Sequence, residues 1–172
     1  MVSSRTLPDA QAIQRMADRY PELDIPSVQA CLAFLDTTTV VYEALEAYFT
    51  RHGLSMGKFT LLMQLFQADG QGMTPSEFAE RVGVTRATIT SLLDGLERDT
   101  LVTRQPHPVD RRMLQVYLTE KGRSLIADIL PDHFCRTTGL MGHLSDREKK
   151  TLIKLLGKLQ SGISALEDFS DP

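Results

Sequence analysis

The sequence predicts a mainly α-helical protein carrying one small β-hairpin, and three observations support that expectation. Apolar residues recur at three- and four-residue spacing along most of the chain, two helix-start signals stand complete, and one stretch, Leu101 to Leu118, switches to two-residue alternation around a proline-rich turn. With 172 residues, 42% of them hydrophobic, the chain can fill a core of its own.

Residues 1–26 are polar, contain Pro8, Pro21 and Pro26, and carry only a weak helical pattern around Ile13 to Met16, so a flexible extension is expected there. The folded part is expected over 27–172. Val28, Cys31, Leu32, Leu35, Tyr42, Leu45 and Phe49 form the stripe of one long amphipathic helix over 27–52. Ser55 then precedes Phe59, Leu62, Met63 and Phe66, with Leu61 and Leu65 filling much of the remaining face, which predicts a largely buried helix.

Thr74-Pro75-Ser76-Glu77 combines a capping hydroxyl, proline in the first turn and a glutamate that reaches back to the cap. Its helix should stop at Gly83, where positive φ turns the chain sharply. Thr85 can cap the next helix, in which Ile89, Leu92, Leu93 and Leu96 point inward and Arg86, Ala87, Thr90, Ser91 and Asp94 outward. Two short helices joined so tightly make a helix-turn-helix.

Leu101 to Gln105 reads as a strand, Pro106 to Arg111 as a turn, and Leu114, Val116 and Leu118 alternate with polar neighbours on a returning strand. Thr119 opens another helix, expected to be interrupted near Pro131, and Ser145-Asp146-Arg147-Glu148 is a second capping box. The last helix carries Leu152, Leu155, Leu156, Leu159, Ile163 and Leu166 as a narrow apolar stripe, which implies a partner chain.

Charge is unevenly spread. The net is −3, yet residues 81–123 hold eight Lys/Arg against five Asp/Glu, a local +3 that leaves −6 for the rest. One face is thereby suited to an anion while the remainder repels nonspecific contact. Two cysteines are too few for a disulfide framework, and no apolar run approaches the ~20 residues of a membrane span, so a soluble cytoplasmic protein is expected. The outward face from Thr85, with hydroxyls and one arginine, suits base edges and phosphates in a major groove. Arg111 and Arg112 at a hairpin tip can reach a minor groove, with Asp110 pairing one guanidinium and directing it.

Asp110-Arg111-Arg112, then Val116, Leu118-Thr119 and Gly122, following Leu96-Glu97 and Leu101-Val102, resemble the wing signature of the MarR family over roughly residues 28–166. The resemblance implies a winged helix-turn-helix lobe over 54–118 and dimerisation helices over 27–52 and 120–168. It further implies a homodimer that binds double-stranded operator DNA of pseudo-palindromic sequence and represses transcription. Carried over by position, Thr85, Arg86, Thr88, Thr90 and Ser91 serve the recognition helix, and Arg112, oriented by Asp110 beside Arg111, is the minor-groove residue. Two departures stand out: Thr100 occupies a position usually held by glycine, so that turn is expected to differ in geometry, and Ser91 replaces a common second arginine, which bears on base preference.

Thr119-Glu120-Lys121-Gly122, with Leu130-Pro131-Asp132-His133 and Cys135, is similar to the branch repressing multidrug efflux pumps. That similarity implies a small amphipathic, often aromatic, effector between the long helices and the winged lobe, with Leu35, Thr39, Tyr42, Phe59 and Met63 as candidate lining; the alternative is that this stripe is simply core. Cys31 stands where peroxide-sensing members place a reactive thiol, against the reading of Cys31 and Cys135 as small buried apolar residues. His133, Cys135 and His143 lack the spacing of a metal site, so no metal or other cofactor is expected. No phosphate-cradling loop or nucleophile elbow suggests an enzyme. The rival from another class is a winged-helix protein-interaction module without DNA binding.

Overall fold

The computed structural model describes Pro8, residues 10–107 and residues 113–167, in the order α1 (Ala10–Ala17), α2 (Ile25–Thr50), α3 (Met56–Gln67), α4 (Pro75–Val82), α5 (Arg86–Arg98), β1 (Val102–Pro106), β2 (Leu114–Leu118), α6 (Glu120–Leu140), α7 (Asp146–Ser161) and α8 (Ser164–Glu167). It forms two compact units, Met1–Arg123 and Ser124–Pro172.

The extension expected over 1–26 is in part a helix. α1 buries Ile13 and packs on α2, because Ile13 has an apolar surface to meet once α2 is formed, a tertiary contact that a local pattern does not reveal. Asp24 caps α2, which starts at Ile25 and so slightly before the expected 27: its carboxylate accepts from the Ser27 amide at 2.9 Å, and Pro26 occupies the first turn, where its missing N–H costs nothing.

The core of the first unit is built from Tyr48 and Phe49 of α2, Phe59, Leu61, Leu62 and Leu65 of α3, Phe78 of α4, and Ile89, Leu93 and Leu96 of α5. Phe49 and Phe59 stack with centroids 4.1 Å apart. α3 and α5 approach closely at two glycines: a Cβ on Gly57 would meet Leu92 at 3.2 Å, and one on Gly95 would meet the Lys58 side chain at 2.8 Å. The hairpin is antiparallel, with Val102 opposite Leu118 and Arg104 opposite Val116. A bridge from Met73 to Val116, with backbone bonds of 2.8 and 3.0 Å, adds a one-residue third strand. Beside it, a Cβ on Gly72 would lie 2.6 Å from the Tyr117 ring, so a larger residue would have to displace that ring.

In the second unit, α6 runs unbroken through Pro131. The sequence predicts an interruption there because an interior proline forfeits one backbone bond at about 3 kcal/mol; flanking turns hold the helix nevertheless. α7 begins with the expected capping box, in which the Ser145 hydroxyl accepts from the Glu148 amide and the Glu148 carboxylate from the Ser145 amide at 2.7 Å. It ends at Gly162, so the predicted continuous stripe is divided: Ile163 falls in a turn and Leu166 in the short α8. No residue of α7 is buried, and Ile153 is 70% exposed.

Candidate nucleic-acid interface

α4 and α5 are separated only by Gly83, Val84 and Thr85. Gly83 takes φ 70°, ψ 33°, and Thr85 returns to extended backbone as the cap of α5. That turn is short because glycine carries no Cβ into the left-handed region. α5 then divides into two faces. Ile89, Leu93, Gly95 and Leu96 are buried, while Thr85, Arg86, Ala87, Thr88, Thr90, Ser91 and Asp94 are all exposed. The five predicted recognition residues are therefore all open to solvent.

Their hydrogen bonds refine the sequence reading. The Thr85 hydroxyl accepts from the Thr88 amide at 3.2 Å and shares a 2.9 Å bond with the Thr88 hydroxyl. Thr90 donates its hydroxyl proton back to the Arg86 carbonyl at 2.9 Å. Thr90 thus faces solvent as an acceptor and a methyl group. Among the described residues, the Arg86 guanidinium and the Ser91 hydroxyl have no internal partner and keep their full donor capacity.

Asp94, counted with the outward face, is instead engaged. Arg104 reaches from β1 to donate to Asp94 at 2.6 Å and to Glu97 at 2.9 Å. This fork ties the wing strand to the helix and takes Arg104 out of the set of free cations, together with two of the acids counted against it. Arg123 is likewise turned inward, 5.9 Å from the Phe66 ring. At the base of the wing, Gln115 donates to the Gly72 carbonyl at 2.7 Å and accepts from the Tyr117 hydroxyl at 2.8 Å. The His107 amide donates to the Met113 carbonyl at 2.9 Å and closes the neck of the hairpin. Asp110, Arg111 and Arg112 lie outside the described residues.

The C-terminal end of α5 departs from expectation. Thr100 adopts φ 61°, so the left-handed turn that glycine would make is kept by a β-branched residue. Such a residue costs about 1–3 kcal/mol there and persists only when its surroundings hold it. They do so with several bonds: Lys121 donates to the Asp99 carbonyl at 2.8 Å and the Thr100 hydroxyl at 2.9 Å, and the Thr119 hydroxyl donates to the Thr100 carbonyl at 2.8 Å. Lys58 of α3 pairs with the Asp99 carboxylate at 2.6 Å and holds its pKa below the usual range. The Glu77 carboxyl is held low in the same direction by the Thr74 amide and hydroxyl.

The candidate effector residues differ in exposure. Phe59 belongs to the core, Met63 is half-buried, and Leu35 and Tyr42 are exposed along α2 with Thr39 between them, its hydroxyl bonded to the Leu35 carbonyl at 2.8 Å. A cleft of about 260 Å³ lies elsewhere, between α1 and α2, lined by Ile13, Gln29, Leu32, Ala33 and Asp36 among others. Cys31 and Cys135 are both exposed free thiols, which corrects the reading of them as buried apolar residues: on a helix whose neighbours leave that face open, a small side chain remains accessible.

A family model described as MarR family matches residues 54–114. A relative, the HTH-type transcriptional repressor YetL of Bacillus subtilis, is 39% identical over 162 residues, covering 94% of this chain and 97% of its own length. The chain belongs to the MarR family. A crystal structure of a MarR family transcription regulator superimposes with a TM-score of 0.73 at 21% identity, covering 92% of this chain and 99% of the other. The Staphylococcus aureus MepR–DNA complex superimposes with a TM-score of 0.70 at 22% identity, covering 76% and 95%. As a MarR-family winged helix-turn-helix protein, the chain is a DNA-binding transcriptional regulator.

What sequence reasoning missed is the support behind this surface. Arg104 and Lys121 look like groove-facing cations in a charge tally, and only their carboxylate and carbonyl partners, remote in sequence, show otherwise. Gly72 carried a weak signal as one of several turn glycines. The Met73–Val116 bridge carried none.

Proposed function

We propose that this MarR-family chain is a repressor acting in the cytoplasm as a homodimer, each protomer presenting the exposed face of α5 to a major groove. The observation that carries the reading is that face itself, where Arg86 and Ser91 stand open to solvent beyond the Gly83 turn while the opposite side is core. Thr85, Arg86, Thr88, Thr90 and Ser91 contact base edges and phosphates, and Arg112, directed by Asp110 beside Arg111, enters the adjacent minor groove. The unburied apolar side of α7 supports the dimer, which presents two equal heads to half-sites about one helical turn apart. Release by a small amphipathic ligand belongs to the same proposal.

The test is a fluorescence-anisotropy titration against the chain's own upstream DNA and a random duplex at several salt concentrations. Operator affinity should fall steeply with salt. Arg86→Met and Arg112→Ala should each weaken binding about tenfold or more and reduce the logarithmic salt slope by about 0.9 for every phosphate left without its cation. A complex indifferent to salt and to both substitutions would instead indicate a protein-interaction module. Adding aromatic acids and lipophilic cations to the formed complex then checks release.

A further inference from the structure

The turn that ends α5 is held in a conformation its own sequence disfavours. Thr100 sits at φ 61°, and a β-branched side chain in the left-handed region crowds its own backbone. The residues that hold it come from two other elements. Lys121, in the first turn of α6, aims its ammonium at the Asp99 carbonyl and the Thr100 hydroxyl, 2.8 and 2.9 Å away. Thr119 bonds the Thr100 and Leu101 carbonyls at 2.8 and 3.1 Å, and Gly122 packs against the Leu101 carbonyl so closely that no Cβ could enter. From the other side, Lys58 of α3 anchors the Asp99 carboxylate at 2.6 Å. The two ammonium groups thus converge on the helix end that carries the negative pole of the backbone dipole.

These groups stand at the opposite end of α5 from Thr85 and Arg86. A helix read near its N-terminus is aimed by whatever fixes its C-terminus, because the rod between them is stiff. We propose that Lys121 is a positioning residue for operator recognition: by clamping the strained Thr100 turn it sets the direction of α5, and its charge is directed at acceptors of that turn rather than at a phosphate. This rests on the DNA-reading role of α5 proposed above. It assigns discrimination between sequences, as distinct from general affinity for DNA, to a residue that a charge tally would place in the phosphate-binding set.

The experiment measures binding of operator and random duplex across a salt series for wild type, Lys121→Met, Lys121→Arg, Thr100→Gly and the Thr100→Gly/Lys121→Met double variant, with circular dichroism confirming the fold of each. Lys121→Met should weaken operator binding about tenfold while random-duplex affinity stays within about twofold and the salt slope is unchanged. Lys121→Arg, which can still donate to both acceptors, should restore most of that affinity. Thr100→Gly should bind as wild type, and in its background Lys121→Met should have little effect, since glycine adopts the turn without a clamp.

A drop of about 0.9 in the slope with equal weakening on both duplexes would make Lys121 a phosphate contact and overturn the proposal. So would unchanged operator affinity in Lys121→Met, or failure of glycine to rescue it. If wild type itself does not prefer the operator, the reading role of α5 fails first, and the wild-type titration alone shows it.

Discussion

Helices α5 and α7 are similar in length and both begin with a hydroxyl cap, yet α5 buries Ile89, Leu93, Gly95 and Leu96 whereas α7 buries nothing. The start signal of α7 is the fuller one, a reciprocal capping box against a lone threonine cap. Local chemistry therefore decides where a helix begins, and the surroundings decide whether it has a place to rest. α5 finds α3, α4 and β1 within its own unit. The leucines of α7 wait for another surface, since an apolar stripe this size in water is a docking face rather than decoration.

The sharpest way to test that contrast is to empty each side in turn. Phe78→Ala, in the core beneath α5, should cost about 3–5 kcal/mol and lower the melting temperature equally at every protein concentration, because the missing ring leaves a cavity inside one chain. Leu155→Asp with Leu159→Asp, at exposed positions on α7, should leave the winged lobe folded by circular dichroism but raise the dimer dissociation constant at least about a hundredfold in sedimentation equilibrium. Concentration-independent behaviour of that variant and wild type alike would break the comparison.

Caps give a smaller effect of the same kind. Thr74→Ala and Ser145→Ala should each cost about 1 kcal/mol in urea unfolding, the second only where the dimer contributes to stability, so its deficit should shrink on dilution. Acid sharpens this further. Glu77 and Asp99 have folded pKa values below their unfolded ones, so their stabilising contribution is present above about pH 4 to 4.5 and is lost as pH falls through the folded values. Urea midpoints should hold between about pH 7 and 5 and decline from about pH 4.5 to 3, with a shallower decline in Glu77→Gln. The smallest effect is expected at Cys31→Ser, within about 0.5 kcal/mol, because the thiol is exposed.

The elements that came readily from sequence were those whose information is local. Thr74 to Glu77, Gly83 and the alternation through Val116 each announce a backbone state within a few residues, and the helix-turn-helix and wing follow from them. The exposed side of α5 was legible for the same reason, since the inward period of Ile89, Leu93 and Leu96 defines its outward complement. What escaped is relational. Ile13 becomes a core residue only against α2, Asp94 a paired residue only against Arg104, and Phe59 a stacked ring only against Phe49. At Thr100 the rule that glycine belongs in a left-handed turn was sound, but the chain keeps the turn and strains the residue. Pro131 shows the converse, a local breaker overruled by the turns on either side.

The foot of the wing, where Gly72, Gln115, Tyr117 and the Met73–Val116 bridge lock together, has a consequence for how such a protein can change over generations. Because these contacts join the described strands to the segment before α4, the register of the hairpin is fixed at its foot. A lineage that replaced Gly72 would first have to rebuild that foot, since the new Cβ would meet the Tyr117 ring and the Gln115 side chain.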